Sequence, residues 1–190
     1  MANNNYNKHY HIERKSKTLS LDEYLEKYVD FNQTLDACKK CPSYNKNWAC
    51  PEFENDYMQF YEPYEKIDII YVRLIFDDYI RQMTFTQDMW NDFLHETLFY
   101  EKEKLTLELK DIEKNKDGVY LSSGYCNICS ECSKINNEEC RFPDLKRNSV
   151  ESIGGLVVKI VSQLFDTQLK WIDDSGKVPE YLSLLNAVMY

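Results

Sequence analysis

Between residues 67 and 76 the chain reads IDIIYVRLIF, a nearly unbroken β-branched and aromatic run. Such a run, with no polar alternation, predicts a strand covered on both faces, in the middle of a sheet. A second pattern follows it. Trp90, Leu94, Leu98, Leu105, Leu109 and Ile112 recur at spacings of three, four and seven, which puts them on one stripe of a long helix over roughly residues 86–114. Asp117-Gly118 stops that helix, and residues 119–121 suit a short strand. Earlier in the chain, Leu21, Tyr24, Leu25, Tyr28 and Val29 share one face of a short helix. Ser20 caps it, and Glu23 completes a capping box. Later, Val150, Ile153, Val157, Val161 and Leu164 predict a helix opening at Asn148 or Ser149, with Glu151 placed to close a second capping box. Gly154 and Gly155 weaken that helix unless something packs closely against its backbone. A last strand falls within residues 181–190, and residues 1–17 read as a polar arm.

After the first helix and a cysteine-containing loop, the order is β-α-β, a second cysteine loop, then α-β. This predicts an α+β (or α/β) fold: one domain over residues 18–190, a small mixed sheet packed by helices, with the cysteine loops at one end. Hydrophobic residues at 43% and charged residues at 29% agree with a packed globular chain rather than a disordered one. The 15 Tyr and 9 Phe predict a ring-rich core. A net charge of −9 argues against nucleic acid as a partner, because phosphate binding needs a basic face. No segment approaches the roughly 20 apolar residues of a membrane span, and no apolar stretch follows Met1 as in a secretory signal. The expectation is therefore a cytoplasmic protein without a membrane partner.

That compartment changes the meaning of the seven cysteines. Disulfides do not persist in reducing surroundings, and an odd number cannot all pair within one chain. They fall in two groups. Cys126, Cys129, Cys132 and Cys140 form Cys-x2-Cys-x2-Cys-x7-Cys, and three thiols each two residues apart are the pattern of a loop folded around one [4Fe–4S] cube. Asn127, Ser130 and Glu131 leave that backbone free to curl, and the longer gap lets Cys140 return to the same cube. The first group, Cys38, Cys41 and Cys50, supplies three thiols in a loop interrupted by Pro42 and Pro51. It holds a second cube with an open iron or a non-cysteine ligand, contributes to the other site, or leaves Cys50 merely buried. His9, His11 and His95 are the candidate fourth ligands, although each also reads as an ordinary surface or helix residue. Zinc is the alternative metal: Cys38-x2-Cys41 and Cys126-x2-Cys129 could form two knuckles of a four-cysteine site, which leaves three thiols over. Arg141 and Arg147 could offset the charge of a cluster, while Lys146 reads as a solvated turn residue. There is no G-x-G-x-x-G, no P-loop and no discernible Ser/His/Asp or Cys/His nucleophile. The pairs Asp77-Asp78 and Asp173-Asp174 read as turns.

The stretches CKKCPSYNKNWACPEF and GYCNICSECSKINNEECRFPDLKRNSVESIGG resemble the two halves of a cysteine-rich bacterial and archaeal family described as "predicted metal-binding protein" (domain of unknown function 2284). The matching positions are Cys38, Cys41, Tyr44, Trp48, Cys50 and Pro51, then Gly124 through Cys132, then Cys140, Arg141, Pro143, Arg147, Ser149 and Glu151. Glu52 stands where a second proline is common. The resemblance covers about residues 35–190. It implies metal binding and no particular reaction. Three functions follow as expectations: electron transfer to a redox or metalloenzyme partner through one or two [4Fe–4S] clusters; an enzyme or accessory with an open iron at Cys38, Cys41 and Cys50; or a zinc-stabilised interaction module.

Overall fold

The apolar run becomes strand β2 (Lys66–Phe76), which lies inside a four-stranded sheet ordered β1-β2-β4-β3. In this computed structural model, residues 5–50, 57–126 and 128–190 are described. Pro51, Glu52 and Asn127 lie outside them.

Both faces of β2 are covered, which is why its sequence shows no alternation. Ile67, Ile69 and Tyr71 join Leu185, Ala187 and Met189 of β4 (Tyr181–Met189) in one core. That core is closed by Leu21 and Tyr24 of α1 (Leu21–Tyr28), Phe31 of α2 (Phe31–Cys38), and Ile160 and Val161 of α6 (Val157–Phe165). On the other face, Ile70, Val72 and Leu74 meet Leu182, Leu184 and Val188, together with Ile80 of α3 (Asp78–Gln82), Trp90 and Phe93 of α4 (Gln87–Leu94), and Leu105 and Leu109 of α5 (Tyr100–Lys116). Full burial of one such side chain is worth about 1.5–3 kcal/mol, so two apolar faces make β2 the strand the fold can least lose.

The α+β expectation holds, and all the strand pairs are antiparallel rather than mixed. The predicted long helix is α4 and α5 joined through one π-helical stretch at His95–Phe99, where the Thr97 hydroxyl donates to the Phe93 carbonyl at 2.6 Å. The short strand β3 (Val119–Leu121) lies where expected, and Ser20 caps α1 by accepting from Glu23 N–H. Among the described residues no helix is long and apolar enough to cross a membrane.

Two expectations are corrected. Most of the polar arm is strand β1 (Tyr10–Ser20), paired with β2 along its whole length from Tyr10↔Phe76 to Ser20↔Lys66. An edge strand needs no apolar face when backbone pairing and charged cross-strand contacts hold it, and its lysines deter further strand addition. Arg73 donates to Glu13, and Arg14 to Glu108 at 2.7 Å. The helix expected from Asn148 is instead a 3-10 turn, Glu151–Ile153, then a break at Gly154 and Gly155, and only then α6.

Asp68 ties β1, β2, α5 and the C-terminal residue together. Its carboxylate accepts from Lys116 at 2.6 Å, Thr18 at 2.6 Å and Tyr190 at 3.2 Å. Burial alone would raise its pKa, but the bonds from Lys116 and Thr18 outweigh that and hold it below the ordinary carboxylate range. A depressed pKa gives stability that is complete above the unfolded value, about 3.9, and is lost as pH falls through the folded one. Urea midpoints between pH 7 and pH 3 should therefore fall less steeply for Asp68→Asn than for the native chain. Parallel curves would show that the cluster contributes nothing to acid sensitivity.

Candidate metal centre

The second cysteine loop leaves β3 and is pinched shut at its base. A parallel bridge joins Ser122 to Ser149, with Ser122 N–H donating to Asn148 at 2.9 Å and Val150 N–H to Ser122 at 3.2 Å. Within the loop, Ser133 donates to the Glu139 carbonyl at 2.7 Å and Arg141 to the Glu131 carbonyl at 3.2 Å, while Asn137 turns the chain with φ 56°. Cys126, Cys129, Cys132 and Cys140 thereby line one small cavity, about 20 Å³, with Trp48, Ile128, Arg141 and Phe142. Burial pushes the Cys126 thiol above its ordinary pKa; the Ile128 N–H lowers it, and the Cys132 and Cys129 thiols raise it further.

The first cysteine loop starts where α2 ends. Asp30 caps α2 by accepting from Gln33 N–H at 2.9 Å, and the helix runs to Cys38. Successive turns then place Cys41 N–H on the Cys38 carbonyl at 2.9 Å and Cys50 N–H on the Asn47 carbonyl at 2.9 Å. Cys38, Cys41 and Cys50 line a different, far larger cavity of about 920 Å³. The two loops nevertheless touch. Asn47 Nδ2 donates to the Cys126 carbonyl at 2.9 Å, and Trp48 Nε1 to the Glu138 carbonyl at 3.0 Å. Loop one therefore supplies a wall of the four-cysteine cavity while its own thiols face the other.

Removing that wall should show in metal retention. With Trp48→Ala, chelator competition is expected to report an affinity weaker by about 10–100-fold, the usual cost of losing a group that supports metal ligands. An unchanged affinity would make Trp48 a spectator.

Two ionisable groups lie beside the loops. Lys102 of α5 is 6% exposed and donates to the Tyr125 carbonyl at 2.7 Å. Burial lowers its pKa, and the neighbouring Cys126 and Glu151 oppose that. Glu151 keeps some surface as a residue, yet its Oε2 is sealed from solvent and has no hydrogen-bond partner among the described residues. Burial raises its pKa, and its own backbone N–H and the Ser149 hydroxyl lower it. It lines the larger cavity with the three thiols. Burial first and then the Glu151 charge push the Cys38 thiol up to about 11.

The histidines are placed elsewhere. His9 pairs with Asp77 at 2.9 Å and stacks on Tyr79, His11 lies on β1 opposite Ile75, and His95 stands edge-on to Phe99. None lines either cysteine cavity. Arg141 does line the four-cysteine cavity, and so does Lys146, which the sequence had placed in a solvated turn. Arg147 instead holds Glu113 of α5 at 2.8 Å and so anchors the loop's exit. Sequence reasoning overlooked Lys102, and it treated Glu151 as a cap. Among the described residues no three His, Cys, Asp or Glu side chains already converge as ligands of one ion do. The donor set is nonetheless soft and thiol-rich, suited to iron–sulfur or zinc rather than magnesium or calcium.

A family model described as "Predicted metal-binding protein (DUF2284)" matches residues 25–186. No curated protein and no solved structure matches the chain.

Proposed function

From the premise that the chain belongs to the DUF2284 family of predicted metal-binding proteins, we propose that Cys126, Cys129, Cys132 and Cys140 hold a [4Fe–4S] cluster that serves electron transfer to a protein partner. One observation carries the reading: four thiols separated along the chain line a single cavity. A cluster there would supply a one-electron couple. Everything else is the work of this chain's residues. At about 20 Å³ the cavity has room for no more than one ion, so a cube requires the loop to open. Among the described residues the loop has no helix or strand beyond the turn Ser133–Asn136, and its ends are clamped at Ser122 and Ser149, so opening requires only the bonds from Ser133 to Glu139, from Arg141 to Glu131 and from Trp48 to Glu138 to give way. Ile128 N–H bonding to the Cys126 sulfur, and the Arg141 and Lys146 cations at the rim, favour the reduced state by offsetting negative charge. Trp48 and Phe142 restrict water. Exposed Ile128, Ile135, Phe142 and Leu145 give a partner apolar surface beside the loop.

Zinc binding the same four thiols is the second reading, and the small cavity favours it. The test is spectroscopic. Anaerobically purified protein should absorb broadly in the blue, bleach with dithionite and develop a paramagnetic signal. A colourless protein holding stoichiometric zinc would overturn the iron reading.

A further inference from the structure

The larger cavity collects three thiols and a carboxylate from different parts of the chain. Cys38 comes from the end of α2, Cys41 and Cys50 from the turns behind it, and Glu151 from the turn before α6. The Glu151 turn is held against α1 and the cap of α2 by specific means. Asp30 N–H donates to the Gly154 carbonyl at 2.9 Å, and Leu156 N–H donates to Tyr28 at 2.8 Å. Glycine is required for the approach: a Cβ on Gly155 would lie 2.5 Å from Val150 Cγ1 and 2.6 Å from the Tyr24 hydroxyl. What this achieves is the burial of a carboxylate oxygen without a partner among the described residues. An unsatisfied buried carboxylate oxygen costs stability. A cation drawn in among the three thiols, with the loop closing around it, would remove that cost; among the described residues the four side chains do not yet converge.

We propose that Glu151 is the oxygen ligand of a second metal centre, completed by the thiolates of Cys38, Cys41 and Cys50. The inference rests on the reading that the cysteine loops bind metal, and it replaces the three histidines as sources of a fourth ligand. Three soft donors and one hard one suit a zinc ion or the unique iron of a cluster, and sulfide content separates the two. The carboxylate is the ligand most readily exchanged, and the adjoining cavity of about 920 Å³ has the volume of a small-molecule site. This centre is accordingly the one that takes up an added ligand. The four-thiolate centre stays closed.

The experiment counts metal and sulfide per chain after a chelator challenge, in the native chain and in Glu151→Gln, Glu151→Ala and Cys129→Ser, all purified anaerobically. The native chain should carry two centres. Both Glu151 variants should keep only the four-thiolate one, and Cys129→Ser only the other. Added cyanide should perturb the spectrum of the native chain and leave that of Glu151→Gln unchanged. Thermal midpoints of the chelated proteins separate a ligand from a structural anchor. Glu151→Gln should melt about 2–4 °C higher, since a sealed carboxylate with one oxygen left unpartnered gives way to a neutral amide, whereas an anchoring role predicts a lower midpoint. Full metal content in both Glu151 variants overturns the proposal. A native chain with a single centre, lost in Cys129→Ser, overturns the second centre and leaves the first standing. No metal in any form overturns the reading beneath both.

Discussion

Serine in place of Cys132 is expected to empty the four-cysteine site and to lower the melting temperature of the metal-loaded protein by about 8–16 °C. The size follows from linkage. A ligand present at about a thousand times its dissociation constant stabilises the folded state by about 4 kcal/mol, and each kcal/mol shifts the midpoint of a chain this long by about 2–4 °C. Cys132 closes its loop's second Cys-x2-Cys step, and it precedes the turn Ser133–Asn136, whose Ile135 N–H donates to its carbonyl at 3.2 Å. Serine keeps that backbone and nearly the same volume, so the loss reports the sulfur alone. Calorimetry with and without chelator checks it. The native chain should shift and Cys132→Ser should shift far less, while equal shifts would place the metal elsewhere.

Alanine at Gly154 has a comparably large effect, an expected loss of about 2–6 kcal/mol in urea unfolding. Two costs combine. The residue has φ +94°, a conformation an L side chain adopts only with strain of about 1–3 kcal/mol. Its new Cβ would stand 2.4 Å and 2.5 Å from ring carbons of Phe31 and 3.0 Å from Val29 Cγ1, and overpacking of that kind costs about 1–3 kcal/mol more. Phe31 has little room to yield, because it belongs to the core under α2 and stacks on Tyr57. Since the Gly154 turn carries Glu151 toward Cys38, the variant should also lose metal from the three-thiol cavity. Unchanged stability would mean that α2 and the turn are not packed as described.

What the sequence revealed divides along physical lines. β2, β4 and the α4–α5 stripe were legible because burial leaves a periodic or continuous apolar signature, and α1 because Ser20 and Glu23 mark its start. β1 was hidden: its ladder to β2 uses backbone groups that every residue possesses, and its side chains carry solvent-facing charge. The helix near Asn148 was overextended because Val150 and Ile153 do face the core, but from a 3-10 turn that Gly154 ends. At the site, cysteine spacing announced two thiol groups, and chemistry narrowed the metals. Spacing could not show that the groups line separate cavities, that Asn47 and Trp48 of one loop brace the other, or that Lys102, one lysine in the charged run YEKEKLTLELK, is buried against Tyr125 of the second. Those facts depend on which segments meet in space.

The most direct test of the central claim is a count of iron, zinc and acid-labile sulfide per chain in protein kept anaerobic throughout. Four irons and four sulfides for the Cys126, Cys129, Cys132 and Cys140 centre, lost together in Cys132→Ser, are the result expected of a [4Fe–4S] site. Protein that holds no iron and no sulfide, or the same amounts with and without Cys132, would contradict it.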